Sequence, residues 1–266
     1  MYKAVAETLM ELSKDTKYLG AQIGFFSVLH TWGQNLHYHP HIHTVVLAGG
    51  LTEHNEWRAA SKKFFIPVKV LSKKFKGKYL YYLKQYYRQG LLGFYNEAKI
   101  YQNKEVFQDL LDKCYSLDWY SYTKRTFDGP LAVMEYLGRY THRIAISNNR
   151  IISVDEDTVT FGVRDYKNDN RKKKVTLTKV EFIRRFLMHV LPKGFVKIRH
   201  YGLLANRNKK TKLKLCRKMT RSPVYKSKFE GLSVLEIVSL ILKKDVSQCQ
   251  GCRNSSLQLA ASGGVP

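Results

Sequence analysis

The apolar positions of the chain fall into short blocks with two different periods. Val5, Leu9 and Leu12 recur at helical spacing between Tyr2 and about Lys14, which predicts an opening helix that Gly20 ends. Residues 22–32 are rich in Phe and β-branched side chains and read as a strand broken by Gly33. After a loop over 34–40, a second strand is predicted over 41–48, ahead of Gly49-Gly50, so the pair forms a long-looped hairpin. Another strand is expected around 64–70, and 71–120 is mostly helical in pattern. Asp128-Gly129-Pro130 has the features of a helix start, with Asp128 near the cap and Pro130 in the first turn, for a helix carrying Leu131 to about Tyr140. Residues 143–147, 150–154 and 158–164 are short β-rich runs parted by Asn148-Asn149 and by 155–157, the pattern of a meander. Thr178-Lys179-Val180-Glu181 is a capping box before Phe182, Ile183, Phe186 and Val190, which predicts a helix up to Pro192. Mixed in this order, with hairpins, these elements predict an α+β fold on an antiparallel sheet. The expected organisation is a folded region over 1–192, a basic region over 193–248, and a small, polar, disordered tail over 249–266.

Charge changes this picture. The 266 residues hold 46 Lys and Arg against 21 Asp and Glu, a formal net charge of +25. A small domain ordinarily carries about 2–8 charges of net magnitude, so an ordinary neutral enzyme surface is excluded. The apolar content of 44% excludes a disordered basic tail as the whole explanation. No run approaches the roughly 18 apolar residues of a membrane span, and the N-terminus does not read as a signal peptide, so a cytoplasmic protein with no membrane partner is expected. Of four cysteines only Cys249 and Cys252 are close together, which argues against a disulfide framework.

The cations are also clustered. Residues 58–90 contain ten Lys or Arg and no acid, interleaved with Phe64, Phe65, Phe75, Tyr79, Tyr81, Tyr82, Tyr86 and Tyr87. Residues 193–228 contain thirteen Lys or Arg, again with no acid. Cations that neutralise phosphates, mixed with rings on which unpaired bases stack, fit single-stranded nucleic acid better than a smooth duplex. A solvated basic face over core aromatics is the plainer reading of either segment alone. An anionic membrane surface fits less well, because neither segment shows a long helix with one apolar face.

Five of the nine histidines lie between positions 30 and 43: His30, His37, His39, His41 and His43. On a strand His41 and His43 share a face, roughly 6–7 Å apart, while Ile42 points to the other layer. Two such imidazoles can converge on one cation. His30, across the hairpin, is the first candidate for a third ligand, with Gln34 and His39 as alternates. In an arbitrary protein a His-X-His pair more often decorates a sheet surface. Tyr136 and Tyr140 have the i,i+4 spacing that puts two phenols on one helical face, although Tyr82 and Tyr86 share it. A phenol can attack phosphorus when a metal polarises the phosphoryl oxygens.

Three segments taken together are more specific than any one motif. LHTWGQNLHYHPHIHTVV, then YLGRYTHRIAISN, then EFIRRFLMHVLPKGFVKIRHYGLLANR resemble, in this order, the rolling-circle transposases of the insertion sequence 91 family. These are two-tyrosine members of the His-hydrophobe-His (HUH) superfamily of single-strand DNA endonucleases. The resemblance runs from about Tyr2 to Lys218. It implies an antiparallel sheet with the His-X-His pair on a central strand and a tyrosine helix packed beneath. It matches His41 and His43 to the metal-binding pair and Tyr136 and Tyr140 to the nucleophiles. It also implies Mg²⁺ or Mn²⁺ as the cation, single-stranded DNA at transposon ends and target as the partner, and a 5′-phosphotyrosine intermediate. Relatives carry an upstream Cys/His-rich zinc-binding region, so the resemblance implies an incomplete chain. Cys249-Gln250-Gly251-Cys252 resembles a Cys-X-X-Cys of their C-terminal part, yet supplies only two of the four ligands of a structural zinc. The rival readings are a replication initiator or relaxase nicking one origin, and a transposase fragment that binds DNA without catalysis.

Overall fold

The computed structural model describes residues 1–61, 66–124, 133, 145–165, 171–222, 229–242 and 245–246. Two compact units are present, Met1–Thr220 and Arg221–Pro266. The described strands of the first unit are β1 (Gln22–Trp32), β2 (Tyr38–Leu51), β3 (Trp57–Ala59), β4 (Ile151–Val154), β5 (Thr158–Asp165), β6 (Arg171–Thr178) and β7 (Ile198–Gly202). Its α-helices are α1 (Tyr2–Lys14), α2 (Val68–Arg88), α3 (Lys104–Ser116), α4 (Lys179–Leu187) and α5 (Lys212–Met219). Two antiparallel sheets result, one in the order β3-β2-β1-β7 and one in the order β4-β5-β6. The fold is therefore α+β, with the His-X-His pair on one of the two central strands of the larger sheet.

Strand β1 is covered on both faces, which explains its nearly continuous apolar sequence. Ile23 and Phe25 are fully buried among Leu9 and Leu12 of α1 and Leu71 of α2. Each such side chain contributes roughly 1.5–3 kcal/mol by leaving water. On the other side of β1 the chain returns as β7, where Gly202 has φ +58 and a Cβ would sit 1.9 Å from the Ile23 carbonyl oxygen. Only glycine fits that turn. Helices α2 and α3 share a second small core of Leu80, Phe107 and Leu111, with Tyr87 stacked on Phe107 at 3.8 Å. The smaller sheet packs Phe161 and Val163 against Phe182 and Phe186 of α4. Thr178 Oγ1 caps α4 by accepting from the Glu181 N–H at 3.3 Å, while the Glu181 carboxylate binds Arg184 and Arg185.

In the second unit, helix α6 (Val234–Leu242) opens with a reciprocal cap. Ser233 Oγ accepts from the Glu236 N–H at 3.3 Å, and the Ser233 N–H donates to the Glu236 carboxylate at 2.6 Å. Among the described residues no helix is long and apolar enough to cross a membrane.

Several expected elements are displaced. The strand expected around 64–70 lies earlier, at Trp57–Ala59, and Val68–Val70 is instead the first turn of α2. Pro67 is the N-cap of that helix, and Leu71, Ser72 and Leu80 are its buried residues, so residue type at Val68 and Val70 is a misleading cue. Strand β2 begins at Tyr38 rather than His41, since Tyr38 pairs with Trp32 across an irregularity. The meander is shifted by one strand. Residues 145–147 are not a strand, because Ala145 has φ +53, and the third strand is β6, whose exposed cations hide the alternation of Val175 and Leu177. Helix α4 ends at Leu187, and a tighter turn carries the chain through His189. Strand β7, placed by the sequence in a separate basic region, belongs to the histidine-bearing sheet. The expected helix over 131–140 lies outside the described residues except for Val133, which is helical, and the expected tail over 249–266 lies outside them entirely.

Candidate metal centre

The hairpin register creates the site. His30 pairs directly with His41, and Val28 with His43, so the three imidazoles project from one face of β1 and β2. Their ring centroids are 5.3 Å (His30–His41), 4.5 Å (His30–His43) and 4.9 Å (His41–His43) apart. One nitrogen from each lies within 4.8 Å of the others. Ions bound by three imidazoles at about 2.0–2.1 Å need donor nitrogens no farther apart than roughly twice that length plus small adjustment.

The rings are held. His30 is 3% exposed and stacks on Trp32, two residues along the same strand, at 4.6 Å. Lys197 Nζ lies 5.0 Å from the centre of the Trp32 ring on the far side of β1 from β2, and burial lowers its pKa. His41 Nδ1 donates to the His39 carbonyl oxygen at 2.7 Å, since a carbonyl only accepts. That bond fixes the neutral tautomer and leaves Nε2 as the lone-pair nitrogen. Burial, and secondarily the charge of His41, pushes His43 down to about 4, and burial also lowers His41. Both are neutral at pH 7, the state in which an imidazole ligates. The donor set therefore fits a divalent cation, and as an all-nitrogen set it fits a transition ion better than the oxygen-seeking Mg²⁺.

The structure brings His30, His41 and His43 together. Of the alternates, Gln34 accepts from Arg150 and His39 accepts from His41, each through its backbone carbonyl oxygen. Tyr136, Tyr140, Cys249 and Cys252 lie outside the described residues. Trp32 was not singled out from the sequence, although its position two residues after His30 on a strand was a legible cue.

The basic, aromatic segment over 58–90 divides between surface and core. Tyr79 and Tyr87 join the α2–α3 core, Phe75 packs on Tyr79 and Trp119, and Tyr82 donates to Glu7. Lys74 and Lys78 are paired with Glu11 and Glu7. Tyr81 and Tyr86 are exposed, as are Tyr95, Tyr120 and Tyr122 farther along. Phe64 and Phe65 lie outside the described residues.

A family model described as "Putative transposase" matches residues 24–212. The chain is 39% identical, over an alignment of 269 residues, to "Putative transposase y4qJ" of Sinorhizobium fredii, covering 97% of this chain and 65% of that protein. It is 27% identical over 212 residues to "Transposase for insertion sequence element IS801" of Pseudomonas savastanoi pv. phaseolicola, covering 78% of this chain and 48% of that protein. The chain therefore spans between about half and two thirds of the length of these relatives. No solved structure matches.

Proposed function

The chain belongs to the Y2 transposase family, and on that premise we propose that it cuts and rejoins single DNA strands at the ends of a mobile element through a 5′-phosphotyrosine. The observation that supports this reading most is the convergence of His30, His41 and His43 at the centre of an antiparallel sheet. Mg²⁺ or Mn²⁺ is the proposed ion, Mn²⁺ being the better match to three imidazoles; His30, His41 and His43 would hold it, and it would supply Lewis-acid polarisation of a phosphoryl oxygen. Zn²⁺ or Ni²⁺ would also enter such a donor set.

Tyr136 or Tyr140 supplies the nucleophile. The phenolic oxygen forms a bond to phosphorus as the P–O3′ bond breaks, which leaves a phosphotyrosine on the 5′ side and a free 3′-hydroxyl. The other tyrosine holds or cleaves a second strand, so ends are exchanged without a nucleotide cofactor. Exposed rings such as Tyr81 and Tyr86, among the cations of α2, provide stacking and phosphate contacts for single-stranded DNA. If about six to ten phosphates are contacted, affinity falls roughly 10³–10⁵-fold between 50 and 200 mM salt. The protein then works where its DNA is, with the bacterial nucleoid in the cytoplasm.

The test is metal-dependent nicking of single-stranded oligonucleotides carrying the element's ends, with covalent adducts resolved on a denaturing gel. Tyr136→Phe or Tyr140→Phe alone retains some first-strand cleavage, the double variant retains none, and the Tyr82→Phe/Tyr86→Phe control still forms the adduct, since Phe keeps the Tyr86 ring for stacking. An adduct formed by the Tyr136/Tyr140 double variant would overturn the assignment.

A further inference from the structure

The turn that joins β1 to β2 is held from outside the larger sheet at three successive carbonyls. Gln34 O accepts from Arg150 Nη2, Asn35 O from Arg185 Nη1 at 3.2 Å, and Leu36 O from His189 Nε2 at 3.0 Å. Arg150 is itself fixed by a 2.8 Å bond from Nε to the Gly162 carbonyl oxygen of β5. Arg185 is fixed by Glu181, and its Nη1 also donates to His37 Nε2 at 3.3 Å. Leu36, at φ +61 and fully buried, inserts its side chain among Phe161, Val163, Phe182 and Phe186. A leucine in the left-handed region is strained, so the surroundings must hold it there.

His189 links this turn to the histidine cluster. Leu36 O can only accept, so His189 carries its proton on Nε2, and in the neutral ring Nδ1 accepts from Thr31 Oγ1 at 3.2 Å. Thr31 follows His30 directly in β1, and the His189 ring is also 6.0 Å from Trp32, on which His30 stacks. One buried side chain thereby spans the turn and the strand end that carries His30.

We propose that His189, with Arg185 and Arg150, forms a set of positioning residues that fixes the Gly33–His37 turn and so keeps His30 and His41 at the separation a shared cation requires. This rests on the cation site proposed above and extends it, since these residues lie outside the three-histidine donor set. Groups that orient metal-binding histidines typically change affinity about 10–100-fold when lost.

The experiment is a Co²⁺ titration of the full chain, read from the visible absorption of the bound ion below the thermal transition of each variant. His189→Gln keeps an N–H donor that reaches Leu36 O, so it should bind Co²⁺ within a few fold of the parent. His189→Leu should bind about ten-fold or more weakly. Arg185→Met, at a side chain nearer the surface, should fall between them and provides a second reading if His189→Leu does not fold. A loss of thermal stability in His189→Leu and Arg185→Met with unchanged Co²⁺ affinity would overturn the positioning role while leaving the cation site intact. A Co²⁺ band that survives His41→Ala would instead overturn the cation site, and this role with it.

Discussion

The two ends of the β1–β2 hairpin are built on opposite principles. At the end where Gln22 pairs with Leu51, backbones and rings approach closely over glycine. A Cβ on Gly49 would lie 2.5 Å from the Trp57 ring, and Leu51, Leu203 and Cys216 close an apolar cluster beside it. At the end where His30 pairs with His41, polar groups are buried and the turn is held by side chains from positions 150, 185 and 189. Apolar close packing is strong and tolerant of ionic conditions, whereas buried imidazoles gain little stability from leaving water. One end of a single hairpin therefore anchors the sheet, and the other gathers three imidazoles that could hold a metal ion.

The comparison breaks most visibly with His41→Ala and His43→Ala. Each should abolish metal-dependent nicking and leave salt-sensitive DNA binding and stability within about 1 kcal/mol of the parent, because the proposed phosphate contacts lie elsewhere. Parallel nicking, binding and thermal-melting measurements check this, and a large loss of stability would show that the histidine end is structural after all.

At the opposite end, Gly202→Ala should cost about 2–5 kcal/mol, from the left-handed backbone and the overpacking against Ile23. For a unit of this size that is a fall of roughly 5–15 °C in thermal midpoint. Co²⁺ affinity of the folded protein should stay unchanged. A variant that loses Co²⁺ binding while keeping its midpoint would erase the distinction between the ends.

The smallest effect concerns the ion pairs that tie α1 to α2. Tyr82 and Lys78 hold the Glu7 carboxyl below its usual value of 4.5, and Lys74 and Lys78 do the same for Glu11. A carboxylate whose folded pKa is depressed stabilises the fold above the unfolded value and loses that contribution as pH falls through the folded one. The Glu7→Gln/Glu11→Gln variant should therefore melt slightly below the parent at pH 7, with the difference shrinking as pH drops below 4.5. These pairs are largely exposed, so the difference should also shrink in high salt. A gap that widens at low pH would contradict the sign.

The ease of reading these features from sequence follows their range. Helix α1 and strand β1 are set by local periodicity and end where it was expected to end. The His41/His43 pair is local too, and His30 followed from hairpin register, which pairs it with His41. What escaped is non-local or masked by charge. Strand β7 pairs with β1 across the whole unit, and β6 shows its alternation only beneath Arg171, Lys172, Lys173 and Lys174. His189 looks like the end of an apolar helix until Thr31 and Leu36 arrive from more than 150 residues away. Val68 and Val70 favoured a strand by residue type, and the buried face of α2 overrode that preference.

Peptide mapping of the covalent adduct tests whether Tyr136 and Tyr140 are the attacking groups proposed for DNA cleavage. Trypsin cuts after Arg139, so the two tyrosines fall on separate peptides, 126–139 and 140–143. After reaction with a single-stranded end oligonucleotide and Mn²⁺, followed by nuclease and tryptic digestion, mass spectrometry should find the residual nucleotide on one or both of these peptides. The adduct should vanish in His41→Ala. A nucleotide carried by any other peptide would place the nucleophile elsewhere, and an adduct that forms equally in His41→Ala would remove the histidine cluster from the reaction.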